Sequence, residues 1–109
     1  MAAKLDEMGR WSEPGLLVLA SLADGEKHGY AMVKDVEAMA GVHLGPGTLY
    51  GALARLEEQG LIAALPAVGR RRPYRLTGAG AAALRTQLTQ IGRVADTGLK
   101  RLRASAASA

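Results

Sequence analysis

The sequence predicts a mainly α-helical fold with a small β-hairpin, and three observations lead to this prediction. Three early segments have apolar residues at helical spacing, each with helix-start residues before it and a glycine after it. Two short apolar segments then flank a glycine–arginine turn, as in a β-hairpin. The last third of the chain has one long helical pattern. Three helices followed by a hairpin is the element order of a winged helix-turn-helix, here with a long C-terminal helix added.

The first two helices are predicted from their boundaries. Ser12 and Pro14 form a typical helix start, and this helix is expected over 13–24. It is apolar on most of its surface, which is typical of a helix buried at the centre of a domain. The second helix is expected over about 29–40, because Gly41 supplies the stop found just after many helices.

The third helix is expected to open at Pro46 and to end before Gly60. Leu49, Leu53 and Leu56 are spaced by four and three residues and therefore lie on one stripe. This stripe predicts the buried face of the helix. In a winged helix-turn-helix the third helix is the DNA-recognition helix, and its opposite face is the one directed at DNA.

A β-hairpin is predicted to follow the third helix. Residues 61–68 have the composition of a strand, and Pro66 marks it as an edge strand. Residues 69–72 form the predicted turn, and residues 73–77 form the returning strand. The three helices and the hairpin together make residues 1–77 a predicted winged helix-turn-helix DNA-binding domain.

A long helix is predicted over 78–105, capped by Thr77. Its apolar residues recur in steps of four and three, the period of a coiled-coil seam, at Leu84, Leu88, Ile91, Ala95, Gly98 and Leu102. A helix of this length cannot bury both ends against the small preceding domain, so we expect a second copy of the chain to pack on it. Residues 106–109 are expected to form a disordered tail.

Composition excludes several classes of protein. The chain has 109 residues, the length of one domain, and no cysteine, which excludes disulfides, cysteine-based zinc sites and a cysteine nucleophile. The N-terminus lacks the apolar stretch of a signal peptide. The longest apolar run, 15–22, is too short to span a bilayer. We therefore expect a cytoplasmic protein without a membrane partner.

The net charge of +4 is unevenly distributed. Residues 1–60 have five basic and nine acidic side chains, a net charge of −4, whereas residues 61–109 have nine basic and one acidic, a net charge of +8. This asymmetry indicates an anionic partner, although a solvated basic helix has the same composition. An alternative to DNA binding is therefore a basic helical interaction module that docks on an acidic protein or an anionic surface.

The turn from Arg70 to Arg72 gives the sharpest indication of DNA binding. Asp96 is the only acid after Glu58, so the three arginines cannot all be neutralised locally. A basic turn of this kind fits phosphate contact or a narrow minor groove, where the negative potential is enhanced. The alternative is a turn that only makes the surface soluble.

The face of the third helix opposite its leucines offers few base-reading groups. Arg55 is the one residue there of a type that pairs bidentately with a base. Thr48 and Tyr50 are able to bind phosphate oxygens, although Tyr50 has a packing role as an alternative. Gly47 and Gly51 permit a close approach of the backbone to DNA.

No enzyme, metal site or cofactor is predicted. His28 and His43 are fifteen residues apart and have no carboxylate at metal-ligand spacing. His28 is instead expected to cap the second helix or to contact phosphate. Glu57 and Glu58 point about 100° apart on their helix, so they do not form an acid–base pair.

Four segments of the chain resemble the PadR family of bacterial transcriptional regulators. They are His28-Gly29-Tyr30, Pro46-Gly47-Thr48-Leu49-Tyr50, the stretch from Arg55 to Ile62, and Arg71-Arg72-Pro73-Tyr74-Arg75-Leu76-Thr77 followed by Gly80. The resemblance implies a homodimeric winged-helix repressor that binds a pseudo-palindromic operator, with the recognition helix at 47–59 and the wing at 68–72. It also implies a dimer interface built from the C-terminal helices and the first helix. Some family members bind flat aromatic effectors near that interface and then release DNA.

The candidate site residues fall into three groups. DNA binding is assigned to Lys27, His28, Tyr30, Gly47, Thr48, Tyr50, Gly51, Arg55, Arg70, Arg71 and Arg72. Dimerisation is assigned to Leu16, Leu19, Leu84, Leu88, Ile91, Ala95, Leu99 and Leu102. Binding of a planar hydrophobic effector is assigned to Trp11, for which packing is the alternative role.

The chain departs from the family pattern where the recognition helix faces DNA. The family commonly has proline at position 51 and histidine at position 54, whereas this chain has Gly51 and Ala54. Side chains are therefore missing from the groove-facing surface, and the operator of a relative cannot be transferred to this protein.

Overall fold

The computed structural model describes residues 13–108. Within this range the chain forms four α-helices and a three-stranded antiparallel sheet. The elements in order are α1 (Pro14–Ser21), β1 (Lys27–His28), α2 (Gly29–Ala40), α3 (Pro46–Glu58), β2 (Ile62–Ala64), β3 (Pro73–Leu76) and α4 (Gly78–Ser108). A 3₁₀ turn, Leu22–Asp24, continues α1. The predicted fold class, a winged helix-turn-helix with a long last helix, is confirmed.

The boundaries of the first three helices follow from local residue chemistry. Pro14 lies in the first turn of α1, as predicted, and Glu13 occupies the N-cap position without a side-chain hydrogen bond. Ser12, which the sequence offered as the helix start, lies outside the described residues. Helix α2 ends at Gly41, whose φ of 69° lies in the left-handed region that glycine adopts without strain. Pro46 begins α3, where its missing N–H is not needed.

The core lies where α1 packs against α2, α3 and the start of α4. Four consecutive residues of α1, from Leu16 to Leu19, are buried, as expected for a helix that is apolar on most of its surface. The other buried apolar residues are Leu22, Met32, Val36, Leu44, Leu49, Ala52, Leu53, Leu56, Ile62 and Leu84. The leucine stripe predicted for α3 is therefore its buried face.

Strand β3 lies in the middle of the sheet and pairs with β1 on one side and with β2 on the other. The sequence reasoning missed β1, because two residues are too few to show an alternating pattern. The strand predicted over 61–68 is too long: regular pairing ends at Ala64, before Pro66, which has no N–H to donate. The hairpin closes further out through paired hydrogen bonds between Val68 and Arg71, at 2.7 and 3.1 Å.

Helix α4 begins with the predicted cap. The backbone N–H of Gly80 donates to Thr77 Oγ1 at 3.0 Å, and this hydroxyl donates to the carbonyl oxygen of Gly60 at 2.7 Å. The helix continues to Ser108, so the prediction of a disordered tail is wrong for residues 106–108. Alanine is the strongest helix former, and neither glycine nor proline interrupts this end.

Only the first turns of α4 pack against the rest of the described chain. Leu84 is buried and Ile91 is partly buried against the core, whereas the side chains from Gly92 onward are mostly exposed. The molecule is therefore elongated, with principal extents of 60 × 27 × 20 Å. No helix in the described part of the chain is both long and apolar enough to cross a membrane.

Candidate nucleic-acid interface

Three elements distant in sequence meet at one depression on the surface. The start of α2, the first turns of α3 and the turn between β2 and β3 enclose a volume of about 310 Å³, which we call the wing depression. Its lining residues are His28, Gly29, Tyr30, Tyr50, Arg70, Arg71, Arg72 and Tyr74. Six of these residues are ones that the sequence assigned to DNA binding, so the fold brings together groups that the sequence could only name separately.

His28 lies at the junction of β1 and α2 and caps the helix, as expected. The backbone N–H of Ala31 donates to His28 Nδ1 at 3.3 Å, which satisfies one of the free amides of the first turn. The other ring nitrogen, Nε2, lies 3.3 Å from Nη1 of Arg71. The pairing of β1 with β3 fixes this approach, because His28 lies opposite Pro73, next to the arginine turn.

The three arginines of the turn have different positions. Arg72 donates from Nη1 to the carbonyl oxygen of Leu65 at 2.9 Å and so ties the two sides of the hairpin together. Arg71 reaches back to His28 across 43 residues of sequence. Arg70 lies at the tip between Val68 and Arg71, and its side chain is exposed. The turn is therefore basic on its surface and anchored at its base.

Tyr30 and Tyr50 line the depression from α2 and α3 and remain 61% and 57% exposed. Tyr50 approaches Gly29 closely: a Cβ atom at position 29 would lie 3.1 Å from the Tyr50 hydroxyl. The hydroxyl end of the Tyr50 ring thus lies against Gly29, at the edge of the depression. Both interpretations of this residue, packing and DNA contact, are compatible with its position.

Two residues near the depression were missed by the sequence reasoning. Tyr74 enters it from β3, and burial, helped by the nearby Glu57 carboxylate, raises the pKa of its hydroxyl, so this group is a neutral hydrogen-bond donor near pH 7. The ammonium of Lys34 lies 5.3 Å from the centre of the Tyr30 ring and extends the basic surface along α2. Helical spacing relates Lys34 to Tyr30, but only the fold shows that this side of α2 adjoins the depression.

The exposed side of α3 adjoins the depression. Gly47, Thr48 and Tyr50 are at its surface, and Gly51 is half-buried. Arg55 is exposed but does not line the depression; it borders a separate cleft instead. The one residue of α3 expected to read a base is therefore not part of this cluster.

Lys27, which the sequence assigned to DNA binding, is engaged in contacts within the chain, and its part in DNA binding stays a prediction. Its ammonium donates to the carbonyl oxygen of Ser21 and forms an ion pair with Asp24, and its side chain is only 18% exposed. The hydrogen bond from Lys27 lowers the pKa of the Asp24 carboxyl, which favours the ionised form of this carboxylate. Neighbouring strand residues point to opposite faces, so Lys27 faces away when His28 faces the turn.

Three of the residues assigned to dimerisation are already buried within a single chain, and their part in a dimer stays a prediction. Leu16, Leu19 and Leu84 are only 8%, 6% and 5% exposed. Apolar residues further along α4 remain available: Leu88, Leu99 and Leu102 are 45%, 56% and 68% exposed. Ala95 on the same stripe is also exposed, and Ile91 is partly buried against the core.

A second and larger cleft lies between α1, α3 and α4. Its volume is about 740 Å³, and its walls combine the apolar side chains of Leu16, Leu19 and Leu56 with polar groups that include Arg55. Glu13, the first described residue, stands at its edge. Trp11, assigned to effector binding, lies outside the described residues.

A recognition helix and a basic turn side by side, on a helical body with an antiparallel sheet, define the winged-helix class of DNA-binding proteins. A sequence model described as the transcriptional regulator PadR-like family matches residues 18–86 of this chain. The chain therefore belongs to the PadR-like family of transcriptional regulators. This assignment favours DNA binding over the alternative interaction module.

Individual relatives are similar over most of this chain. It is 46% identical over 85 residues to an uncharacterized 37.1 kDa protein in transposon Tn4556 of Streptomyces fradiae, covering 78% of this chain and 25% of that protein. It is 44% identical over 72 residues to transcriptional regulator Rv3488 of Mycobacterium tuberculosis, covering 63% of this chain and 66% of that protein. The chain thus matches about a quarter of the first relative's length and just under two thirds of the second's.

A solved structure supports the same fold. The crystal structure of a PadR family transcriptional regulator from Eggerthella lenta superimposes with a TM-score of 0.73 at 34% identity, covering 93% of this chain and 90% of that one. Because this coverage extends beyond residues 18–86, the similarity includes much of the long last helix.

Proposed function

We propose that this protein is a repressor that binds a pseudo-palindromic operator as a homodimer. The observation that carries the proposal is the wing depression, where His28, two tyrosines and the arginine turn meet beside α3. No acidic side chain is among the residues of the described range 13–108 that line this depression, whereas its arginines supply positive charge. DNA phosphates are the anions that a winged helix meets when its recognition helix enters a major groove.

The two parts of the interface have different roles in the proposal. The turn and the start of α2 contact phosphates, which supplies most of the salt-dependent affinity. Helix α3 sets the register on the duplex and selects bases only modestly, because Gly47 and Gly51 carry no side chain toward the groove and Arg55 is the one residue on that face of a type that pairs with a base. Two such helices in a dimer would contact half-sites separated by about 10 base pairs or a multiple of that spacing.

The dimer is proposed to form through α4, with a second copy of the chain as the partner. Leu88, Ala95, Leu99 and Leu102 lie within about 60° of one another around the helix and form an exposed apolar stripe. A single chain leaves this stripe exposed, because much of α4 extends beyond the helices and strands that form the core. A long amphipathic helix that repeats at 3.5 residues is suited to pack on its own copy.

Fluorescence anisotropy with a labelled duplex tests operator binding. The duplex is taken from the DNA upstream of the protein's own coding sequence, and a scrambled duplex of equal length serves as the control. We expect two chains per duplex, tighter binding to the upstream duplex, and affinity that falls steeply with salt. Failure to bind either duplex at low salt would overturn the proposal.

Repression is tested separately by in vitro transcription from the same upstream DNA. We expect added protein to lower the amount of transcript at concentrations that saturate the duplex in the anisotropy titration. A rise in transcript would identify an activator instead and would leave DNA binding intact.

A planar hydrophobic effector is proposed to bind between α1 and the last helices of the dimer and to release DNA. The cleft of about 740 Å³ supports this location, because its apolar wall is formed by α1 and its volume suits a small molecule. Trp11 is the only tryptophan and precedes Glu13 at the cleft edge by two residues. Titrating planar aromatic compounds while recording Trp11 fluorescence and DNA binding tests the idea, and a flat response to all of them would count against it.

A further inference from the structure

Both ring nitrogens of His28 face hydrogen-bond donors, but the ring cannot accept a hydrogen bond at both nitrogens at once. Nδ1 faces the N–H of Ala31 at 3.3 Å, and Nε2 faces the guanidinium of Arg71 at 3.3 Å. A backbone N–H and a guanidinium are both donors only. A neutral imidazole has one acceptor nitrogen and one N–H, and an imidazolium has no acceptor, so at most one of the two contacts is a hydrogen bond.

The surroundings decide which contact is the hydrogen bond. The contact with Ala31 is partly buried in the first turn of α2, where a free N–H is costly. The contact with Arg71 is exposed, and water readily satisfies an exposed guanidinium. Nδ1 therefore accepts from Ala31, and the proton resides on Nε2. The helix cap thereby fixes the tautomer of the ring.

The Nε2–H of His28 and the guanidinium of Arg71 are then two donors whose nitrogen atoms lie 3.3 Å apart. The other polar groups lining the wing depression are the hydroxyls of three tyrosines and the side chains of Arg70 and Arg72. No carboxylate is among the described lining residues. A single anionic oxygen would accept hydrogen bonds from both the His28 Nε2–H and the Arg71 guanidinium.

We propose that His28 Nε2–H and Arg71 bind one non-bridging oxygen of a single DNA phosphate. This inference rests on the proposed DNA-binding function and adds a specific pair of residues to it. His28 then has two linked roles: its Nδ1 caps α2, and the same cap directs its Nε2–H toward the DNA backbone. Hydrogen bonds that involve a charged partner are the stronger ones, so this pair contributes more than an exposed arginine alone.

A double-mutant cycle tests whether the two residues share a phosphate. The probe is a 24-base-pair duplex of random sequence, because backbone contacts do not depend on the operator. The variants are His28→Asn, Arg71→Ala and their combination. Asparagine is a strong N-cap residue, so His28→Asn keeps the cap of α2 and removes the Nε2–H. Arg70→Ala is the matched control, since it removes the same charge from the adjacent position.

We expect His28→Asn to weaken binding about fivefold in the wild-type background, the loss of about one hydrogen bond. In the Arg71→Ala background the same change should cost less than about twofold, and in the Arg70→Ala background about fivefold again. Equal losses in the Arg71→Ala and Arg70→Ala backgrounds would overturn the shared phosphate. If the wild-type protein binds no duplex at all, the proposed function itself fails.

The tautomer is measured independently of DNA. Nitrogen-15 NMR of the imidazole in the free wild-type protein, at a pH where the ring is neutral, should show the proton on Nε2. A proton on Nδ1 would mean that Nε2 accepts from Arg71, and the proposal would be wrong even if DNA binding is confirmed. Thermal unfolding of His28→Asn provides a further check, because a cap-retaining variant should melt close to the wild type.

Discussion

Among the glycines of the described chain, Gly80 has the least room for a side chain. A Cβ atom at this position would lie 2.0 Å from the carbonyl oxygen of Leu61 and 2.8 Å from Leu76 Cδ1. The first turn of α4 thus crosses directly over the backbone at the start of β2. Because a backbone carbonyl cannot move aside as a flexible side chain can, only glycine permits this crossing.

Gly80→Ala should therefore destabilise the protein by about 3 kcal/mol, an overpacking cost at a rigid contact. Urea denaturation with circular dichroism measures the change. Gly92→Ala is the matched control, because no atom lies within 4 Å of a Cβ there, and alanine should stabilise this helical site by up to about 1 kcal/mol. Equal stabilities of the two variants would refute the close crossing.

Two elements are held in place by single polar side chains. Thr77 links the start of α4 to the turn after α3, because its hydroxyl accepts from Gly80 and donates to Gly60. Arg72 fixes the wing by bonding to Leu65 across the hairpin. The positions of the last helix and of the basic turn thus depend on hydrogen bonds as well as on burial.

Thr77→Ala should lower the free energy of unfolding by about 1–2 kcal/mol, since it removes an N-cap and leaves the Gly60 carbonyl without this donor. Thr77→Ser should retain most of the stability, because serine has the same hydroxyl. Chemical denaturation of the two variants provides the comparison. A serine variant as unstable as the alanine variant would show that the methyl group, rather than the hydroxyl, is responsible.

The wing is expected to contribute affinity without sequence preference. Arg70→Ala combined with Arg71→Ala should weaken binding to operator and random duplexes by similar factors, because both side chains are proposed to contact phosphate. The slope of log K against log salt concentration should fall by about 1.8, or 0.9 for each lost phosphate contact. An unchanged slope in a salt titration would contradict the role of the wing.

At the scale of the whole molecule, the long last helix is only partly used by one chain. Helix α4 is buried against the core at Leu84, whereas Leu88, Leu99 and Leu102 further along it remain exposed. The molecule is elongated, with a longest extent of 60 Å. Exposed apolar surface of this kind marks an interaction site. A second copy of the chain would cover it and would place two recognition helices on one duplex.

Leu88→Glu combined with Leu102→Glu should convert the proposed dimer to a monomer, because four carboxylates would face one another across the proposed interface. Light scattering after gel filtration measures the mass, and operator affinity should fall with it. Gln90→Glu with Thr97→Glu adds the same charge on the opposite face of α4 and should leave the dimer intact. A dimer that persists in the leucine variant would place the interface elsewhere.

The local residue pattern was sufficient to predict most of the elements. Leu49, Leu53 and Leu56 defined the buried face of α3, and Gly41 and Thr77 marked helix ends at the correct places. These predictions succeeded because helical periodicity and capping involve residues only a few positions apart. Strand β1 and the end of α4 were not predicted, since the first is too short to show a period and the second lacks a stop signal.

The sequence by itself determined the fold class, the basic turn and the family motifs, because each depends on neighbouring residues. Only the tertiary structure decided which of these residues act together. It paired Lys27 with Asp24, buried Leu16, Leu19 and Leu84, and set His28 beside Arg71. Sheet pairing and core packing join positions tens of residues apart, and no local pattern encodes the distance between two such side chains.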